Sequence, residues 1–143
     1  MRLPGSSGRE DSGLGGEPKR IVVIDDTPDF LAFVAVLLEM ENYKVFMRSI
    51  GENTVAFVKT HQPDLILLDV VLPDVDGLEI LRDLKEDSHT RSIPVIVCTA
   101  MVDRVRAMRR YLDQLSVRVL EKPFDLDTLL SAIQEATGES VGT

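Results

Sequence analysis

Five polar side chains lie at or just after the ends of short apolar runs. Asp25 and Asp26 follow RIVVI, Asp69 follows DLILL, Thr99 ends PVIVCT, and Lys122 comes soon after VRVL. A carboxylate prefers water to an apolar neighbour, and adjacent carboxylates repel each other. A buried strand that ends in two of them therefore indicates a site where their charge is used.

The charges of this set indicate a magnesium site. Three carboxylates and one ammonium sum to -2, which a divalent cation would neutralise. A small number of oxygen ligands suits Mg²⁺, because this ion keeps several of its waters. With the metal bound, one aspartate can attack a phosphoryl group as a covalent nucleophile. The metal, the lysine and the hydroxyl would then stabilise charge on the transferring oxygens.

The elements that must position these groups alternate along the chain. Five strand-then-helix units predict an α/β fold, with a doubly wound five-stranded parallel sheet and helices on both faces. Lys44 and Arg118 interrupt the second and fifth strands, and edge strands tolerate such charges, so we predict the flavodoxin-like order 2-1-3-4-5. In such a sheet the carboxyl ends of the strands form the ligand crevice. The amphipathic segments that predict the helices are 28–41, 52–61, 76–87, 102–115 and 125–137.

Composition divides the chain into one domain and two tails. Residues 1–18 are rich in Gly, Ser, Pro and charge, which predicts a disordered N-terminal tail. The folded domain is predicted over residues 19–138, and residues 139–143 form a short C-terminal tail. Because so little chain follows the domain, we expect either a stand-alone module or a domain excised from a longer protein.

Charge and hydropathy favour a cytoplasmic protein with protein partners. The formal net charge is -8, which disfavours direct nucleic-acid binding. The single cysteine, Cys98, lies in an apolar run and cannot form an internal disulfide, as expected in a reducing compartment. No apolar stretch approaches the roughly 20 residues needed to span a bilayer, so no membrane association is expected. His61 and His89 lie in polar surroundings and are interpreted as surface residues.

Four motifs together resemble the receiver domain of two-component response regulators. They are DD at 25–26, DVVLPDVDG at 69–77, TA at 99–100 and KPF at 122–124. Each motif alone is weak, but all four in this order and at these spacings are very specific. The resemblance covers residues 19–138.

The resemblance implies a phosphoacceptor and a metal site. Asp69 would accept a phosphoryl group from a sensor histidine kinase or a histidine phosphotransfer protein. Asp26 and Asp69, with the backbone carbonyl of Val71, would bind Mg²⁺, while Asp25 would act largely through bound water. Such a protein is a signalling phosphoacceptor that assists its own phosphorylation and dephosphorylation, and it is not an enzyme acting on a separate substrate.

The resemblance also assigns contacts around the phosphoryl group. The side chains of Thr99 and Lys122 and the backbone of Ala100 would contact it. The Lys122–Pro123 peptide bond would be cis, with Pro123 in a structural role, and Gly77 would be structural as well.

Other function classes fit the residues less well. A dinucleotide-binding enzyme needs a glycine fingerprint after the first strand, where this chain has IDDTPD. An aspartate-nucleophile phosphatase would want a second acid at the position of Val71. The remaining alternative is a receiver-like adaptor that binds partners without phosphorylation. Such an adaptor would usually have lost an acid, the lysine or the hydroxyl, and this chain has lost none of them.

The chain departs from the family at its output surface. Val119 stands where many relatives have an aromatic residue, so the usual inward turn of a ring cannot report phosphorylation here. The basic side of the segment 102–121 is interpreted by default as an ordinary solvated face. The alternative is that this segment binds a downstream partner or a second copy in a homodimer. Its helix is predicted to carry Arg106, Arg109 and Arg110 on one side, with Met101, Val105, Met108 and Leu112 on the other.

Two further positions concern the lifetime of a phosphorylated state. In the family, side chains two residues beyond the phosphoacceptor and two beyond the hydroxyl flank the approach of the attacking water. Here they are Val71 and Met101, which are apolar and cannot orient a water by hydrogen bonding. We therefore expect slow dephosphorylation.

Overall fold

The computed structural model describes residues 17–138, in which strands and helices alternate. Of the tails predicted at 1–18 and 139–143, residues 1–16 and 139–143 lie outside the described residues. The strands are β1 (Arg20–Ile24), β2 (Lys44–Arg48), β3 (Leu65–Leu68), β4 (Val95–Thr99) and β5 (Arg118–Glu121). The helices are α1 (Pro28–Met40), α2 (Thr54–His61), α3 (Gly77–Glu86), α4 (Val102–Ala107), α5 (Arg109–Gln114) and α6 (Leu126–Thr137).

The strands form one parallel sheet in the order β2-β1-β3-β4-β5. The predicted fold class and strand order are therefore confirmed. Residues of β3 and β4 are buried along their whole length, as expected for strands covered on both faces. Lys44 and Arg118 are exposed on the two edge strands, where a charge costs little and hinders pairing with another sheet edge.

Alternate residues of the central strands pack into two separate cores. On one face, Val22, Ile66 and Val97 pack against α2, α3, α4 and α5. On the other face, Val23 and Leu67 pack with residues of α1 and α6. Since successive strand residues point to opposite faces, each continuous apolar run supplies both cores. Because helices cover both faces of the sheet, the carboxyl ends of β1, β3 and β4 remain as the place where polar side chains can meet.

Three details differ from the sequence expectation. The segment 102–115 is two helices, broken at Met108, whose backbone has φ -104° and ψ 12°. In this segment Val105 and Leu112 are buried, Met108 is partly buried, and the predicted apolar residue Met101 is 51% exposed just before α4. Helix α2 begins at Thr54 and not at residue 52, because Asn53 adopts a left-handed conformation (φ 62°) that a right-handed helix cannot include.

The prediction that His61 is a surface residue is wrong in part. Its ring is half-buried and lies between Phe46 and Phe57, with ring centroids 4.5 and 4.2 Å away. Its Nδ1 atom lies 2.9 Å from the Phe57 carbonyl oxygen. His89 is exposed, as expected. None of the helices within the described residues has the length and hydropathy that crossing a membrane requires.

Candidate functional site

The acids predicted from the sequence meet at the carboxyl ends of β1 and β3. Asp25, Asp26 and Asp69 each offer a carboxylate oxygen, and these three atoms all lie within 4.8 Å of one another. Asp25 and Asp69 are buried, with 1% and 7% of their surface exposed, whereas Asp26 is exposed. Thr99, at the end of β4, is fully buried beside them. The parallel sheet thus concentrates negative charge at the carboxyl ends of its central strands.

Each of these strands ends in the same local turn. The Asp25 carboxylate accepts a hydrogen bond from the Thr27 amide (2.9 Å), and Asp69 accepts one from the Val71 amide (2.9 Å). The Thr99 hydroxyl oxygen accepts one from the Met101 amide (3.0 Å). Asp and Thr side chains favour this bond to the backbone two residues on, and it turns the chain away from the strand direction. The same residues therefore end the strand and fix their own side chains in the crevice.

Lys122 directly follows β5 and contacts two of the three acids. Its Nζ atom donates to Oδ2 of Asp25 (2.5 Å) and to Oδ2 of Asp69 (3.2 Å). The backbone amide of Lys122 donates to the Thr99 carbonyl (2.9 Å), which ties β5 to the end of β4. The Lys122–Pro123 peptide bond is cis. One ammonium therefore serves two buried carboxylates, and it leaves Asp26 without a cation partner among residues 17–138.

Burial and the neighbouring charges shift the pKa values of this cluster. Burial raises the pKa of Asp69 above its ordinary 3.8, the Val71 amide and Lys122 oppose that rise, and the Asp25 charge adds to it. Burial would lower the pKa of Lys122, but Asp25 and then Asp69 outweigh it, so the pKa of Lys122 is raised above 10.5. The ammonium thus stays charged at neutral pH, and a further cation would offset the cost of ionising Asp69.

The residues present fit a magnesium ion. All the candidate side-chain ligands are oxygens, and three carboxylates with one ammonium leave a charge of -2 at the cluster. Mg²⁺ prefers such hard ligands and needs few of them from the protein. Asp25 and Asp69 each use one oxygen for a backbone amide and the other for Lys122, whereas Asp26 is exposed and has the freest carboxylate for direct coordination. The Lys122 contact with Asp69 (3.2 Å) is longer than the one with Asp25 (2.5 Å), so Asp69 is the second acid better placed to coordinate an ion directly.

An open cavity of about 600 Å³ lies over the acids. Val71 and Met101 are on its wall and are 42% and 51% exposed. Ala100 and Phe30 also line it. The candidate phosphoryl-contact residues therefore line the same cavity as the Asp69 carboxylate. Val71 and Met101, the two side chains predicted to flank the approach of water, line it as well.

Two loop acids near the site were not given a structural role from the sequence. Asp74 accepts hydrogen bonds from the amides of Gly51 (2.8 Å) and Glu52 (2.9 Å), which joins the loop after β3 to the loop after β2. Asp76 caps α3 by accepting from the Leu78 amide (2.9 Å). An Asp just before a helix-like pattern is an N-cap signal, so Asp76 could have been found. The partners of Asp74 could not, because they lie in another loop.

Two further contacts hold the loop after β3 in place. The Gly77 amide donates to the Val70 carbonyl (3.0 Å), so α3 begins directly against the backbone that carries Asp69. Arg104 of α4 forms a short ion pair with Asp76. Through this pair α4 is connected to the loop that follows Asp69.

Val119 is half-buried and packs against the core beneath α4 and α5.

Comparison with known proteins agrees with this geometry. A sequence model of the response regulator receiver domain matches residues 21–134. The chain is 36% identical over 115 residues to the DNA-binding dual master transcriptional regulator RpaA of Synechocystis sp., a match that covers 80% of this chain and 47% of RpaA. It is 33% identical over 117 residues to Protein PilH of Pseudomonas aeruginosa, covering 80% of this chain and 93% of PilH. The chain thus spans about half the length of RpaA and most of PilH.

Solved structures share the fold. The receiver domain of sensor histidine kinase PA1611 from Pseudomonas aeruginosa PAO1 was solved with a magnesium ion coordinated in its active site cleft. It superimposes with a TM-score of 0.75 at 25% identity, covering 85% of this chain and 99% of that one. A putative response regulator from Chloroflexus aurantiacus J-10-fl has a TM-score of 0.76 at 21% identity, covering 86% of this chain and 100% of that one, and shows the fold alone. The chain therefore belongs to the response regulator receiver domain family, the receiver modules of two-component systems.

Proposed function

We propose that the chain is a phosphoacceptor, and that Asp69 receives a phosphoryl group from a phosphohistidine of a sensor kinase or a phosphotransfer protein. The observation that carries this proposal is the position of Lys122, whose ammonium lies between Asp25 and Asp69 beside a third carboxylate. Residues 19–138 are the proposed receiver unit, and the proposed location of this unit is the cytoplasm.

The transfer follows from the placement of the side chains. A carboxylate oxygen of Asp69 attacks phosphorus, a new P–O bond forms, and the bond from phosphorus to the donor nitrogen breaks, leaving the donor with that electron pair. Lys122 is close enough to Asp69 to move its hydrogen bond to a phosphoryl oxygen during the transfer. Thr99 and Ala100 line the same cavity. These donors act where charge accumulates during transfer.

Mg²⁺ is the proposed cofactor. Asp26 and Asp69 would hold it with the Val71 carbonyl, and Asp25 would reach it through water. When bound, the metal would neutralise charge between the phosphoryl oxygens and the carboxylates. The compact set of oxygen ligands and the magnesium-bound relative support this assignment.

The output is proposed to be altered partner binding. Phosphorylation changes the charge at the crevice, and α4 is linked to that crevice through the ion pair of Arg104 with Asp76. A protein partner is expected on residues 102–121, whereas direct binding to nucleic acid or membrane is not expected. The alternative function, an adaptor that is never phosphorylated, is less well supported because the acids, Thr99 and Lys122 are all retained.

The decisive experiment uses acetyl phosphate and Mg²⁺ with intact mass measurement. Wild-type chain should gain one phosphoryl group, Asp69→Asn should gain none, and the control Asp113→Asn, an exposed acid of α5, should label like wild type. Full labelling of Asp69→Asn would refute the assignment of the acceptor. Wild-type chain that stays unlabelled with both acetyl phosphate and a phosphorylated histidine phosphotransfer protein would favour the adaptor.

A further inference from the structure

The Lys122 ammonium has a third neighbour besides its two carboxylates. Its Nζ atom lies 4.0 Å from the centroid of the Phe30 ring. An ammonium has three N–H donors, and two of them are used by Asp25 and Asp69. The third side of the ammonium faces an aromatic surface, which attracts a cation but accepts no strong hydrogen bond.

Phe30 is itself held in place from the segment that carries the lysine. It belongs to the first turn of α1 and packs against the core beneath α1 and α6. The Phe124 ring meets it edge-on, with centroids 6.0 Å apart and an interplanar angle of 88°. Such T-shaped pairs are a preferred aromatic geometry. The ring is therefore fixed by α1 on one side and by the residue two positions beyond Lys122 on the other.

We infer that Phe30 is a positioning residue, which holds the Lys122 ammonium between Asp25 and Asp69 through its ring face. The inference rests on the proposed phosphorylation of Asp69. A lysine side chain is flexible and its ammonium is strongly hydrated, and Lys122 lines an open cavity. The ring covers the side of the ammonium that water would otherwise occupy. Because the ring offers no strong acceptor, the ammonium remains free to turn from a carboxylate to a phosphoryl oxygen.

The inference is tested by a double-mutant cycle on the rate of phosphorylation. Initial rates of acetyl phosphate labelling are measured at saturating Mg²⁺ for wild type, Phe30→Leu, Lys122→Met and the double variant. Leucine keeps an apolar side chain but removes the ring face. Phe30→Leu is expected to slow labelling by about two- to thirtyfold, the range that corresponds to a cation–π contact. In the Lys122→Met background the same substitution should have almost no further effect.

Two further variants separate positioning from general damage. Phe30→Tyr keeps the ring face and should label at nearly the wild-type rate. Phe57→Leu is the matched control, because Arg48 lies 5.0 Å from the Phe57 ring centroid in a similar contact that includes neither Lys122 nor an acid of the cluster. It should leave the labelling rate unchanged. Equal slowing by Phe57→Leu, or equal slowing by Phe30→Leu with and without Lys122, would overturn the inference.

A second measurement does not depend on phosphorylation. In NMR spectra without Mg²⁺, the Lys122 side-chain protons next to the ammonium should show an upfield ring-current shift that Phe30→Leu removes and Phe30→Tyr keeps. Unchanged Lys122 shifts in Phe30→Leu would overturn the inference. If wild type is never labelled but this shift is present, the proposed function fails while the contact stands, so the two failures are distinguishable.

Discussion

The backbone of Gly77 lies so close to Val70 that an ideal Cβ atom at Gly77 would be only 2.3 Å from the Val70 Cα atom. The same Cβ atom would be 2.6 Å from the Asp69 carbonyl oxygen. Both neighbours are backbone atoms of the segment that carries the proposed phosphoacceptor. Gly77 is therefore required by the close approach of α3 to the end of β3.

The first prediction is that Gly77→Ala is strongly destabilising. Because backbone atoms cannot move aside as a flexible side chain can, we expect a loss of about 3 kcal/mol in the free energy of unfolding, at the upper end for overpacking. Urea denaturation measures the loss. Phosphorylation of the folded variant should also be slower, because relief of the contact displaces Asp69.

Gly51→Ala is the matched control for this prediction. A Cβ atom at Gly51 would meet only side-chain ends, the nearest being Ile80 Cδ1 at 2.6 Å and Val75 Cγ2 at 2.8 Å. These ends can rotate, so we expect a loss of about 1 kcal/mol. If Gly77→Ala is no less stable than Gly51→Ala, the backbone contact is not the reason for the glycine.

The sheet and the acid cluster could be predicted because both depend on local pattern. Continuous apolar runs indicate buried parallel strands, and Lys44 and Arg118 mark the edges. A parallel sheet then brings the residues after β1 and β3 together by its topology. No tertiary contact had to be known for Asp25 and Asp69 to be placed side by side.

The parts that could not be predicted depend on contacts between distant segments. The position of Phe30 over Lys122 requires the packing of α1 against the loop after β5. The bonds from Gly51 and Glu52 to Asp74 require two loops to meet. The break at Met108 has a different cause: the apolar period of 102–115 continues through it, so the pattern alone predicts one helix.

The second prediction concerns metal binding. Asp26 is exposed, so Asp26→Asn should change the stability of the metal-free protein little. If Mg²⁺ binds the folded site as proposed, it should raise the melting temperature of wild type, and this gain should be lost in Asp26→Asn. Thermal unfolding with and without millimolar Mg²⁺ measures both. A full Mg²⁺ response in the variant would place the ion at another site.

The third prediction concerns acid stability and Asp74. The Gly51 amide, and then the Glu52 amide, hold the pKa of Asp74 below its ordinary 3.8. A carboxyl whose pKa is lower in the folded state stabilises the fold well above pH 3.8, and this stabilisation is lost as the pH falls through the folded value. Asp74→Asn should therefore be less stable than wild type at neutral pH, and the difference should shrink in acid.

Chemical denaturation between pH 7 and pH 3 measures this difference. Asp83→Asn is the control, because Asp83 lies on an exposed part of α3, where its carboxylate is 3.8 Å from Arg82. It should show little pH-dependent difference from wild type. A stability difference for Asp74→Asn that is constant over the whole range would mean that its charge is not involved.

The fourth prediction concerns the basic surface of α4 and α5. Arg106 and Arg110 are exposed, and neither has an ion pair within the described residues. If this surface binds the acidic surface of a second copy, Arg106→Glu with Arg110→Glu should weaken self-association and abolish its salt dependence. Sedimentation of the phosphorylated chain at low and high salt measures this effect, while labelling of Asp69 should persist.

The control for that surface carries the same change of charge elsewhere. Lys44→Glu with Arg91→Glu alters exposed residues outside α4 and α5, and should leave self-association unchanged. Equal association of both double variants would contradict the prediction. A wild-type chain that is monomeric under all conditions would exclude a second copy as the partner of this surface.

The last prediction concerns the lifetime of the phosphorylated state. Hydrolysis requires a water in line with the bond from phosphorus to the Asp69 oxygen, and the water must be admitted and oriented. Val71 and Met101 lie on the wall of the cavity over Asp69, and both are substantially exposed to it. Neither side chain can hold a water by a strong hydrogen bond, and both occupy space through which the water would approach.

Val71→Asn with Met101→Ser should therefore shorten this lifetime. An orienting hydrogen bond is worth on the order of 1–3 kcal/mol, so we expect the phosphoryl group to be lost roughly ten- to a hundredfold faster at constant Mg²⁺. Decay of the labelled mass after removal of acetyl phosphate measures the rate. Val36→Asn, an exposed apolar position on α1, is the control and should decay like wild type. Because the amide and the hydroxyl act on water and not on the phosphodonor, the double variant should be labelled at close to the wild-type rate. An unchanged decay rate in the double variant would refute the idea that Val71 and Met101 slow hydrolysis.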